Sequence, residues 1–175
     1  MALGGIQLGL RVWQFIWTLL IMALVGNIIA QAYSGNPAII NYTMFVSAFS
    51  MFSLFYLFPA SFNPDWAIHP IILIVLDTLN MLLFLTCAIA LAAELECHSC
   101  SNREYVLNNS VTNGSMNPTK RCREAQASTA FLWFAWAGYT ASWVLSILQS
   151  RRAGADLRPR VGPARGSSRP TMAQV

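Results

Sequence analysis

PIILIVLDTLNMLLFLTCAIALAA, residues 70–93, decides the fold, because a single carboxylate, Asp77, interrupts an otherwise uncharged apolar run. At ~1.5 Å rise per residue, a helix of this length crosses a hydrocarbon core of about 30 Å. Three more runs carry no charge at all: Val12 to Tyr33, Ile39 to Phe58 and Ser128 to Leu148. The whole chain of 175 residues is 55% hydrophobic and 10% charged, with a mean hydropathy of +0.48. A soluble domain of that length could not hide so much apolar surface from water. The expected fold is therefore an all-α membrane protein, an antiparallel bundle of four transmembrane helices over residues 1–150, followed by a tail over 151–175. The first run is longer than the h-region of a signal peptide, about 7 to 15 residues, so it is expected to stay in the protein.

Charge placement sets an expected orientation. Arg11 precedes the first run, and Arg151, Arg152, Arg158, Arg160, Arg165 and Arg169 follow the last. Basic flanks resist translocation, so four crossings place both termini in the cytoplasm. The link near residues 60–69 carries Asp65 and no Lys or Arg, and is silent on orientation. In the outer loop, about 94–127, Glu94, Glu96, Glu104 and Glu124 offset Arg103, Lys120, Arg121 and Arg123, so this segment can cross. The tail is rich in Arg, Pro, Gly and Ser and is expected to be disordered. Arg151 and Arg152, closest to the bilayer, are the expected contacts with an anionic leaflet, at roughly 1 kcal/mol each.

Short links containing Gly35, Asn36 and Pro37, then Pro59, Asn63, Pro64 and Pro70, make consecutive helices antiparallel neighbours. Small residues allow close approach, so Ala23, Gly26 and Ala30, then Ser47, Ser50 and Ser53, then Gly138, Ser142 and Ser146 are read as inward faces. Phe45, Phe49, Phe52 and Tyr56 form a stripe on another face of the second helix, towards lipid or a partner protein. Asp77 needs a partner or a proton, since a carboxylate in the bilayer costs about 2.5–3.5 kcal/mol on insertion scales. The expected structure is a polar clamp of Asp77 with Asn80, Asn27 and Ser53, with Thr18, Thr140 and Ser142 at comparable depth. The alternative is a small proton-coupled transporter or channel subunit built on Asp77, although broken helices and internal repeats are not evident.

The outer loop holds Cys97, Cys100 and Cys122, of which two should pair on an oxidising face. Asn108 and Asn113 each open an N-x-Ser sequon and are candidate glycosylation sites. A single CxxC around His98 is a weak zinc signal without a second pair.

The motifs Leu76-Asp77-x-Leu79-Asn80, His98-Ser99-Cys100-x-Asn102, Tyr105, Thr112-x-Gly114-Ser115 and Arg121-Cys122-Arg123-x-Ala125-Gln126-Ala127 resemble those of the fungal non-classical export protein family of MARVEL-domain tetraspan proteins. The ending Pro170-Thr171-x-x-Gln174-Val175 is similar too, and the resemblance covers about half the chain. It implies a disulfide between Cys100 and Cys122, with Cys97 an addition. That bridge would close a loop of about 22 residues, worth ~3 kcal/mol in the chain-entropy model. The resemblance also implies a non-enzymatic organiser of eisosome-associated compartments in the plasma membrane, responsive to sphingolipid status and linked to export of proteins without signal peptides. The partners it implies are membrane lipids, sphingolipid- or sterol-rich domains among them, and eisosome-type scaffold proteins; further copies of this chain are another expected partner. No catalytic constellation, cofactor motif, metal cluster or nucleic-acid footprint is evident in the sequence.

Overall fold

The computed structural model describes residues 2–62, 70–96 and 98–152. Its elements are α1 (Ala2–Ala30), α2 (Ala38–Phe62), α3 (Pro70–Leu95), a short α4 (Arg103–Asn108) and α5 (Pro118–Arg152). Four of them, α1, α2, α3 and α5, are long and apolar enough to cross a membrane. Gly35, at φ +89°, turns the chain between α1 and α2, a conformation that glycine adopts without a Cβ penalty. Asn102 caps α4 by accepting from the amides of Glu104 and Tyr105. Pro118 opens α5, where its missing N–H costs nothing, and the Asn117 side chain accepts from the Lys120 amide.

The helices outrun the apolar runs. α1 starts ten residues before Val12, so Arg11 lies inside the helix and is not a flank. α5 starts at Pro118 rather than Ser128, so the last part of the expected outer loop is helical. α2 continues through Pro59 to Phe62. A proline this close to a helix end removes one hydrogen bond without ending the last turn. α5 also includes Arg151 and Arg152, which the sequence reading placed in the tail. Residues 153–175 lie outside the described residues, and with them the expectation of disorder.

Packing fixes the order round the bundle. α1 lies against α2 and α5, and α3 lies against the same two, which leaves α1 and α3 on one diagonal and α2 and α5 on the other. Adjacent helices are all antiparallel, the arrangement that short links impose.

Inward faces differ along the bundle. Ile21, Val25 and Ile28 of α1 join Ile40, Phe84, Leu91, Leu132 and Ala135 in an apolar core. Ala23 and Ala30 face outward and Gly26 is half-buried, which corrects the small-residue reading of α1. That half of the interior is wide enough to be filled by β-branched and aromatic side chains, and small ones there would leave voids. On α2 and α5, Ser47, Ser50, Ser53, Gly138, Ser142 and Ser146 do point inward. The aromatic stripe of α2 divides: Phe45 and Phe52 are turned out, Phe52 at 77% exposure, with Phe55 beside them, whereas Phe49 and Tyr56 are half-buried and Tyr56 packs on the core.

Gly138 marks the closest approach of α1 and α5. A Cβ there would stand 2.7 Å from Trp13 Cδ1, and Trp13 Nε1 donates to the Phe134 carbonyl at 3.0 Å. Gly138→Ala is therefore expected to cost about 1–3 kcal/mol, the usual scale of overpacking, in unfolding experiments in micelles.

Candidate functional site

One buried ion pair ties the diagonal helices together. Arg11 enters from α1, about 14 Å from its start by ~1.5 Å per residue, and Asp77 from α3, about 11 Å from its start. Both side chains are enclosed, at 1% and 0% exposure. Arg11 Nη1 donates to Asp77 Oδ1 at 2.5 Å and Nη2 to Oδ2 at 2.9 Å, the bidentate fork that guanidinium geometry favours.

α5 completes the ring of donors. Ser142 and Ser146 both donate to Asp77 Oδ2, at 3.2 and 3.3 Å. Gln7 Nε2 in turn donates to Ser142 Oγ at 2.7 Å and to Ser146 Oγ at 3.4 Å. Gln14 accepts from Arg11 at 3.0 Å and donates to the Gly138 carbonyl at 3.2 Å. Four donors meet the carboxylate, one at Oδ1 and three at Oδ2. Asp77 thus sits in a hydrogen-bonded network shared by three helices. One turn further in, Thr18, Ser50 and Tyr139 form a second polar link, 3.2 and 2.6 Å, that brings in α2.

The expected clamp needs correction. Arg11, read as a topology flank, is the partner of Asp77, and the earlier set does not assemble. Asn80 is buried on the same face of α3, but its amide donates to the Leu76 carbonyl at 2.9 Å. Ser53 donates to the Phe49 carbonyl at 2.8 Å, the back-bond by which a serine satisfies itself within its own helix. Asn27 stands near the far end of the bundle, about 24 Å beyond Arg11 at ~1.5 Å per residue. There it donates to Glu124 at 2.5 Å and accepts from Gln31 at 2.8 Å. Ser142, grouped by depth with Asp77, is a direct contact.

At that far end the α3–α5 connection folds into a cap. Cys100 and Cys122 are joined by a disulfide. Tyr105 donates to the Leu95 carbonyl at 2.5 Å and Asn109 to the Glu94 carbonyl at 2.7 Å, which seals the end of α3. Thr112 donates to the Val106 carbonyl at 2.8 Å. Arg121, 1% exposed, reaches the carbonyls of Val111 and Gly114 at 2.7 and 3.3 Å and Asn36 Oδ1 at 3.2 Å. Gly114, at φ +82°, lies so close to Ser34 that a Cβ would collide with it, and its carbonyl also accepts from the Tyr33 amide at 3.1 Å. Gln126 donates to the His98 carbonyl at 2.9 Å. Arg121 and Gly114 thus fasten this loop to the α1–α2 connection, while Tyr105, Thr112, Gln126 and the disulfide fasten it to itself and to the end of α3.

Asn108 and Asn113 are both exposed on the cap. Ser110, the hydroxyl residue of the first sequon, is exposed, whereas Ser115 of the second is buried. Arg151 is exposed near the end of α5. Cys97 lies outside the described residues. With Cys100 committed to Cys122, the CxxC pair offers no two free thiols.

Comparison with known proteins adds an independent finding. Residues 3–145 match the family described as Membrane-associating domain, MARVEL. The chain is 34% identical over 175 residues to Non-classical export protein 102 of Candida albicans, covering 100% of this chain and 99% of that one. It is 33% identical over 149 residues to Non-classical export protein 2 of Saccharomyces cerevisiae, covering 83% and 82% of the two chains. Its likeness to the Schizosaccharomyces pombe homolog of the latter is 30% over 138 residues, 78% and 74% of the two chains. No solved structure matches.

Proposed function

Because this chain belongs to the MARVEL family of multi-pass membrane proteins, among the non-classical export proteins, we propose that it is a non-enzymatic organiser of the plasma membrane. It gathers eisosome-associated compartments, responds to sphingolipid status and assists export of proteins without signal peptides, with both termini cytoplasmic. Its partners are lipids of the anionic leaflet, eisosome-type scaffold proteins and further copies of itself. Arg151 and Arg152 meet the inner leaflet, and the cap faces outward.

The observation that carries this reading is the buried Arg11–Asp77 pair, engaged by three helices, with a packed apolar half beyond it. Asp77 is engaged by Arg11, Ser142 and Ser146, and the apolar half of the bundle is packed shut. What the protein offers its surroundings is surface: a broad aromatic face on α2 and a fastened cap. A shape-holding element fits that better than a turnover site. The transporter reading requires pH-dependent flux into liposomes that Asp77→Asn abolishes.

Imaging of a fluorescently tagged chain tests the proposal. Stable plasma-membrane patches that rearrange on sphingolipid depletion are expected; uniform, mobile staining indifferent to eisosome loss would overturn it.

A further inference from the structure

The interior changes character at the Thr18–Ser50–Tyr139 link. On the side where α1 begins, Gln7, Arg11, Gln14, Asp77, Asn80, Ser142 and Ser146 are buried around the ion pair, with Ser53, Leu54, Leu57 and Ala60 of α2 beside them. On the other side they are mainly apolar, beginning with Ile21, Phe84 and Leu132, and the buried hydroxyls of Thr43, Ser47 and Ser128 bond to carbonyls of their own helices. Within the polar half, three buried atoms lack a hydrogen-bond partner among the described residues: Gln7 Oε1, Arg11 Nε and Asn80 Oδ1. Their side chains are 6%, 1% and 0% exposed. An unpartnered buried polar group is disfavoured, and three around one ion pair, spread over about 10 Å of the bundle axis at ~1.5 Å per residue, call for ligands that can both donate and accept.

We propose that the polar half of the bundle is a water-binding pocket, with water bridging Asn80 Oδ1, Arg11 Nε and Gln7 Oε1 around the Arg11–Asp77 pair. Polar interiors hold water where apolar ones stay dry. Water donates to the two amide oxygens and accepts from the guanidinium Nε, a combination that no single protein group in this layer supplies. Entry is from the end where α1 begins and α5 finishes, since Gln7 and Ser146, at 6% and 8%, are less deeply enclosed than the rest of the network. The pocket ends blind beneath Ile21, Phe84 and Leu132, so it gives no passage across the membrane. It places solvent beside an ion pair that would otherwise stand in a dry interior.

The test is thiol modification by the small hydrophilic reagent methanethiosulfonate ethylammonium, which forms a mixed disulfide and releases methanesulfinate, scored at each cysteine by mass spectrometry of the protein in nanodiscs. Ser142→Cys and Ser146→Cys place thiols in the pocket, while the native Cys87, buried in the apolar half, is the internal standard. A thiol reacts only where water and reagent reach it, so both variants should react about tenfold or more faster than Cys87. Reaction as slow as that of Cys87 overturns the proposal. A variant in which Cys87 reacts equally fast has lost its fold, and the wild-type protein then decides. Water-to-side-chain magnetisation transfer in NMR spectra should reach the amides of Asn80 and Gln7, and its absence from both, with a clear signal at the exposed Gln126, overturns the proposal as well.

Discussion

Arg11→Met and Asp77→Leu, made singly, are each expected to lower stability by about 3–5 kcal/mol, because either leaves a buried charge without its counter-charge. The double variant should lose much less than either single one. Two charges taken out of water gain little over well-packed apolar groups, so removing both can be nearly neutral. Denaturant unfolding in micelles gives the cycle directly, and additive losses would mean that the two residues act independently. In Arg11→Met the orphaned carboxylate keeps Ser142 and Ser146 as donors, whereas Asp77→Leu leaves the guanidinium with Gln14 alone. Asp77→Leu should therefore be the worse of the two.

The second large effect is at the cap. Cys122→Ser opens a ring spanning 22 residues of sequence and is expected to cost about 3 kcal/mol, most of it through freedom regained by the unfolded chain. The loss should be local in the folded state. Tyr105, Asn109 and Arg121 still fasten the connection, so hydrogen exchange should rise across residues 98–117 while α1 and α3 keep their protection. Loss of protection throughout the bundle would show that the bridge holds more than the cap.

The four helices were legible because bilayer thickness leaves a clear mark on the sequence, a run of uncharged residues about 20 long. The serine faces of α2 and α5 and the outward aromatic residues were legible by helical periodicity for the same reason. The partner of Asp77 was not. Arg11 stands at the edge of an apolar run, where a basic residue ordinarily reports orientation, and nothing local shows that the helix begins nine residues earlier. A signal was present nonetheless: Gln7, Arg11, Gln14 and Thr18 recur at i, i+4, i+7 and i+11, a polar stripe on one helical face. A polar stripe at the start of an otherwise apolar helix, matched by one carboxylate in another, is the pattern of a buried pair. Asn27 and Ser53 were misassigned because depth counted along separate helices says nothing of which faces meet. The cap motif was recognisable by resemblance alone, since the fastening roles of Arg121, Gly114 and Gln126 depend on contacts between segments far apart in sequence.

Topology carries the proposed function, in which the cap stands outside the cell and the arginine-rich end inside. Lys120 is the only lysine in the sequence and stands on the cap, with its side chain 48% exposed beside Glu124. Treatment of intact cells with a membrane-impermeant amine reagent should label Lys120, while an epitope appended to the carboxyl end stays hidden from antibody until the cells are permeabilised. An accessible carboxyl end with Lys120 protected in intact cells would contradict the account.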